Sequence, residues 1–222
     1  MIIIKGYLFS YLYVLSILVI VYAVGKIYNV QGDILRKFVH LAVGFTWLIL
    51  CKYLDDTLHF VILPLTVVII LAVCSKYGLL KVIERDDGKK KDFGILHYAI
   101  SITLICTVAK LFSIVLIPCG IGIFVLSFGD GAASIFGEIF RKTNLHITKT
   151  KTLTGTIACF IFAIIGVLVY RGFVPFQINI VNLLIIGVVA AFMEIIGGRY
   201  DNYSVPFSTI ATAAILMNLN ET

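Results

Sequence analysis

Charge is what this sequence has least of. Asp, Glu, Lys and Arg make up 14% of its 222 residues, against about 25% in a soluble domain, while 60% of the chain is hydrophobic. A core of this size cannot absorb such a surplus of apolar side chains, which excludes a soluble globular fold. Long polar segments are also missing. No connection reaches the roughly 50 residues that a second fold requires, so 1–222 reads as a single integral membrane domain with its chemistry on short loops and helix ends. No C-x-x-C pair occurs. Cys51, Cys74, Cys106, Cys119 and Cys159 all lie in or beside apolar runs and read as small hydrophobes. A G-x-x-x-x-G-K-[ST] loop is absent, as are H-E-x-x-H and G-x-S-x-G, which removes a P-loop and weakens zinc protease and serine hydrolase readings. The apolar stretch from Gly6 to Gly25 is too long for a signal-peptide core and lacks a small-x-small cleavage site, so it reads as a retained anchor. The net charge of +6 and pI near 9.0 come without any helix-turn-helix, zinc or aromatic-basic signature. Topology, and not nucleic acid, accounts for them.

What is present is a series of apolar windows close to the 20 residues a bilayer demands. They fall at 6–25, 34–51, 57–75, 93–112, 113–128, 153–171, 179–197 and 203–219, predicting an all-α polytopic protein of about eight transmembrane helices, within a range of seven to nine. The stretch from Gly129 to Phe140 is expected to be a helix turned back toward the membrane surface, and 1–30 a peripheral span. Cytoplasmic loops concentrate Lys and Arg, and in this register one face holds fourteen of the eighteen cations and nine of the twelve acids. The expected topology puts both termini outside the cytoplasm and nearly all the polar chemistry inside. Short loops and no targeting segment point to a prokaryotic plasma membrane. The mixed charge run 84–92 reads as a solvated loop.

Ionisable residues at a membrane edge are costly, so each is a functional candidate. Arg36, His40 and Gly44 recur every four residues and share a helix face, with Lys37 beside them. Interfacial snorkelling accounts for Arg36 and Lys37 but not for His40. Asp130 follows an apolar run, and the small residues around it leave room for either a ligand or a second helix. Its carboxylate suits Mg²⁺, which takes one or two carboxylates plus phosphate oxygens; an N-cap with helix packing is the competing reading. Lys149, Lys151, Thr152, Gly155 and Thr156 stand where the sixth span begins, at a helix N-terminus that favours phosphate. Glu194 follows a long apolar run, and Asp201 and Asn202 lie in the turn after Gly197 and Gly198. Carboxylates for a metal, cations for phosphates and a lipid surround together define a site for a phosphorylated, nucleotide-like donor and a hydrophobic acceptor.

Four motifs in order, Arg36-Lys37-x-x-His40 with Gly44, Gly129-Asp130-x-x-Ala133-x-x-x-Gly137, Lys151-Thr152-x-x-Gly155-Thr156, and Glu194 with Asp201-Asn202-x-x-Val205-Pro206, resemble the CTP-dependent lipid kinase family of dolichol kinase, phytol kinase and the yeast-type diacylglycerol kinase. The likeness covers about 33–207. It implies transfer of the γ-phosphate of CTP to the hydroxyl of a membrane lipid alcohol, with Mg²⁺. Carried over, Gly129, Asp130, Ala133 and Gly137 belong to the CTP-binding segment with Lys151 as its distal lysine, supported by Lys149, Thr152 and Gly155. Asp201 and Asn202 match the Asp-Asn pair, and Arg36, Lys37 and His40 the basic motif. The implied roles are a metal held by Asp130 with Asp201, Asn202 or Glu194, phosphates neutralised by Lys151 and clamped by Arg36, and a base drawn from His40 or an acidic residue. One departure is Phe140-Arg141, where the family often has Phe-Gly. The acidic glycine loop also resembles phosphatidate cytidylyltransferase, and a secondary transporter is the reading from another class. Charge gathered at one face rather than the midplane, with no inverted repeat, counts against transport.

Overall fold

The computed structural model describes residues 1–30, 32–54, 58–80, 94–140, 145–148 and 150–221. The mixed charge run and Lys149 lie outside them. The described residues are helical without a β-strand, forming an all-α polytopic membrane protein. Contacts divide the chain into two compact units, Met1–Leu111 and Phe112–Thr222.

The first unit contains α1 (Ile2–Tyr28), α2 (Gly32–Gly44), α3 (Thr46–Tyr53), α4 (His59–Lys76) and α5 (Gly94–Leu111). Polar bonds tie α1 to its neighbours. Tyr7 pairs with His59 Nδ1 at 3.0 Å and Tyr13 donates to the Ala42 carbonyl at 2.9 Å. Much of the remaining surface of α1 is exposed and apolar, including Ile4, Leu8, Leu12, Leu15 and Val19, as suits a helix facing lipid.

The second unit contains α6 (Leu116–Val125), a π-helical turn (Leu126–Asp130), α7 (Gly131–Ile139), α8 (Leu153–Phe173), α9 (Ile180–Gly197) and α10 (Asp201–Glu221). Helical backbone runs without a break from Leu116 to Ile139. The expected turn back at Gly129 therefore does not occur: the π turn takes in Gly129, Gly131 opens α7, and the chain continues in the same direction. Seven described helical segments are long and apolar enough to cross a membrane, with Leu116–Ile139 and Gly32–Tyr53 each counted as one. The eighth expected span, 203–219, is helical but too polar to join them. Its hydroxyls turn inward on the helix, Thr209 donating to the Val205 carbonyl at 2.9 Å and Thr212 to Ser208 at 2.8 Å, which limits their desolvation cost.

Packing in the second unit inverts the soluble pattern. On α8 the large residues Ile157, Ile161, Ile165 and Leu168 are exposed, while Gly155, Cys159, Ala163 and Gly166 are buried. Lipid is as apolar as leucine, so helices associate through close contact of small residues instead. A Cβ at Gly155 would lie 2.8 Å from the Ala133 carbonyl oxygen, and one at Gly166 2.7 Å from that of Phe124. The room beside Asp130 that the small residues leave is thus filled by α8. We expect Gly155→Ala to lower stability by about 1–3 kcal/mol through overpacking, because the obstructing atom is backbone. Gly172→Ala, where nothing lies within 4 Å, should be neutral or slightly stabilising; thermal unfolding of both variants in detergent checks the contrast.

Candidate functional site

The second unit gathers four of the expected residues around one ammonium. Lys151 enters from a short loop whose backbone is held by Ile147 N–H donating to the Lys151 carbonyl at 2.9 Å and by Leu153 N–H donating to that of Leu145, also at 2.9 Å. The Lys151 N–H itself donates to Thr148 Oγ1 at 3.1 Å. Two residues later α8 begins, with Thr152 as its N-cap accepting from Gly155 N–H at 3.3 Å. The loop thus sets Lys151 at the mouth of α8, next to the ends of α9 and α10.

Lys151 Nζ lies 2.6 Å from Glu194 Oε1 and 2.9 Å from Asp201 Oδ2. The pair is poorly hydrated: the side chains of Lys151, Glu194 and Asp201 are 12%, 4% and 15% exposed. Thr156, one turn into α8, donates to Glu194 Oε2 at 3.4 Å, so both oxygens of that carboxylate are engaged. Asp201 opens α10 and divides its oxygens similarly, Oδ1 accepting from Asn202 N–H at 2.9 Å, where an acid also suits the helix dipole. The Gly198 turn, at φ 54°, reverses the chain between α9 and α10 and so brings Glu194 and Asp201 to one point.

Asp130, fully buried at the end of the π turn, acts on Lys151 electrostatically. π turns inside α-helices recur at functional sites because the extra residue re-aims a side chain. Burial opposes the Lys151 charge, but the carboxylates of Asp201, Glu194 and Asp130 outweigh it and hold the ammonium above its ordinary range.

Other expected residues have packing roles. A Cβ at Gly129 would meet Cys159 Sγ at 3.3 Å and one at Gly137 would meet Thr152 Oγ1 at 3.1 Å. Ala133 supplies the carbonyl against which Gly155 packs. These positions let the Asp130 helix lie against α8 and so frame the site.

Arg36, Lys37 and His40 belong to the first unit. Arg36 pairs with Asp33, and its guanidinium lies over Gly94, where a Cβ would come 2.9 Å from Cζ. Lys37 is buried. His40 is buried and stacked on Tyr98, centroids 4.0 Å apart, and the Tyr98 hydroxyl donates to the His40 carbonyl at 2.7 Å. This clasp between α2 and α5 gives His40 a structural function that its sequence position did not reveal. Thr156, expected only as part of the phosphate-favouring start of the sixth span, serves as the hydroxyl that donates to Glu194; Gly94 and Tyr98 carried no signal in the sequence.

Hard oxygen donors suit Mg²⁺. Two carboxylates converge here, and Asn202, the residue after Asp201, has a buried Oδ1 with no hydrogen-bond partner among the described residues. This set fits a cation that completes its coordination with phosphate oxygens. Among the described residues, no three His, Cys, Asp or Glu side chains form a metal cage by themselves. No family model, curated protein or solved structure matches this chain.

Removing Lys151 strands a buried carboxylate, so Lys151→Met should cost about 3–5 kcal/mol. Because the ammonium is held more basic in the folded state, this stabilisation is complete below the ordinary lysine value of 10.5 and is lost as pH rises beyond it. The thermal-stability gap between wild type and Lys151→Met, followed by circular dichroism, should therefore stay level to that pH and narrow above it.

Proposed function

We propose that this protein is a CTP-dependent kinase that phosphorylates the hydroxyl of a membrane lipid alcohol. One observation supports this reading above the others: the poorly hydrated ammonium of Lys151 pairs with Glu194 and Asp201 within the electrostatic influence of Asp130, at the ends of apolar helices. Phosphoryl transfer depends on positioning and charge neutralisation more than on covalent help from the protein, and this cluster offers both to a triphosphate. The apolar helices around it let a lipid hydroxyl reach the same place from the bilayer.

In this reading Lys151 binds and neutralises the transferring phosphoryl oxygens. Glu194 and Asp201, with Asn202 Oδ1, would hold Mg²⁺, which when bound spreads the charge of the triphosphate. Thr156 fixes Glu194, and Thr152 fixes the start of α8. The acceptor oxygen attacks the γ-phosphorus, the bond to the β-γ bridging oxygen breaks, CDP leaves, and the hydroxyl proton passes to an acidic side chain of the cluster. Asp130, set inside an apolar helical run, is the carboxylate assigned to take it.

Purified protein supplied with CTP labelled at the γ position and a mixed lipid extract should place label in a lipid monophosphate. Label in pyrophosphate would instead mark a cytidylyltransferase, and no turnover would leave a transporter. Asp130→Asn and Lys151→Ala, checked for folding by size exclusion, should each lower transfer about a hundredfold or more, as loss of a charge-stabilising group does elsewhere. Full activity in either variant would remove that residue from the mechanism.

A further inference from the structure

Lys151 sits where a metal ion would be expected. Its ammonium touches both carboxylates, at 2.6 and 2.9 Å, and Thr156 and the α10 backbone occupy the outer oxygens. The acids therefore converge on a single cation, and that cation is the protein's own. Asn202 follows Asp201 on α10 and is only 7% exposed, and its side-chain Oδ1 accepts no hydrogen bond among the described residues. An ammonium has three donors, of which the two carboxylates take two, whereas a hard divalent cation takes six or more oxygens.

We propose that Lys151 is the resident counter-ion of a divalent-cation site formed by Glu194, Asp201 and Asn202 Oδ1, and that it yields these oxygens only when a triphosphate offers its ammonium another partner. This deepens the kinase reading and rests on it. Electrostatics supplies the coupling. With Lys151 in place the two carboxylates retain one net negative charge, and a divalent cation entering between them would meet an ammonium in contact with the same oxygens. Phosphate oxygens relieve that repulsion by drawing Lys151 away and by ligating the cation. Metal and nucleotide thus bind cooperatively, and by linkage each raises the affinity of the other equally. The free protein keeps its carboxylates paired and does not accumulate bare metal.

The test measures metal binding rather than catalysis. Mn²⁺ binding to detergent-solubilised protein, read from loss of the free Mn²⁺ electron paramagnetic resonance signal, should be at least tenfold tighter in Lys151→Met than in wild type without nucleotide. CTP should tighten Mn²⁺ binding in wild type by a similar factor and in Lys151→Met much less. Adding Glu194→Gln and Asp201→Asn to Lys151→Met should abolish the gain. Equal Mn²⁺ affinity in wild type and Lys151→Met, or a gain that survives the added substitutions, overturns the proposal. A second measurement uses the wild type alone, in case the variant does not fold: the acylation rate of the Lys151 amine, followed by mass spectrometry, should stay unchanged as Mn²⁺ alone is raised and should shift when CTP is added with it, and a shift with Mn²⁺ alone or no shift with both overturns the proposal. Phosphate transfer by wild type without the Mn²⁺ gain in Lys151→Met defeats this inference and leaves the kinase reading intact. The Mn²⁺ gain without transfer does the reverse.

Discussion

The ammonium of Lys151, held between Glu194 and Asp201, is the interaction on which the arrangement of the second unit depends. It joins the mouth of α8 to the ends of α9 and α10, three helices whose apolar surfaces supply little drive to associate in lipid. A pair this dry is expensive to assemble, since each ion gives up its water. The surrounding hydrogen bonds offset much of that cost: Thr156 on Glu194, the Asn202 N–H on Asp201, and the loop backbone that fixes Lys151. Breaking one member leaves the others buried and uncompensated, so the cluster acts as a unit.

Close packing of small residues is what lets this cluster form. Gly155 against the Ala133 carbonyl and Gly166 against that of Phe124 bring the Leu116–Ile139 run into contact with α8. The π turn then delivers Asp130 within electrostatic range of Lys151. With larger residues along this seam the helices would stand further apart, and the Asp130 field at Lys151 would weaken with distance. Fold and candidate chemistry are linked through the same glycines.

Much of this was visible in the sequence. Apolar windows of membrane length marked the helices because each span must satisfy its own backbone in lipid. The few ionisable residues in or beside those windows, Asp130, Lys151, Glu194 and Asp201, drew attention for their desolvation cost. Local chemistry could not reveal that the glycines near Asp130 face a helix rather than a ligand, since either neighbour requires a small side chain. His40 was equally ambiguous, because its stacking partner Tyr98 is 58 residues away.

The sequence by itself determined a membrane-embedded helical protein with its scarce charges grouped near helix ends, because hydropathy is a property of consecutive residues and charge in lipid is too costly to occur by accident. Only the tertiary structure decided that helical backbone continues through Asp130, that Lys151 bridges Glu194 and Asp201, and that Thr156 belongs with them. Those outcomes depend on which helix faces meet. That is set by contacts between residues tens of positions apart, where a glycine, a π turn or a reversed loop shifts a side chain by more than the length of an ion pair.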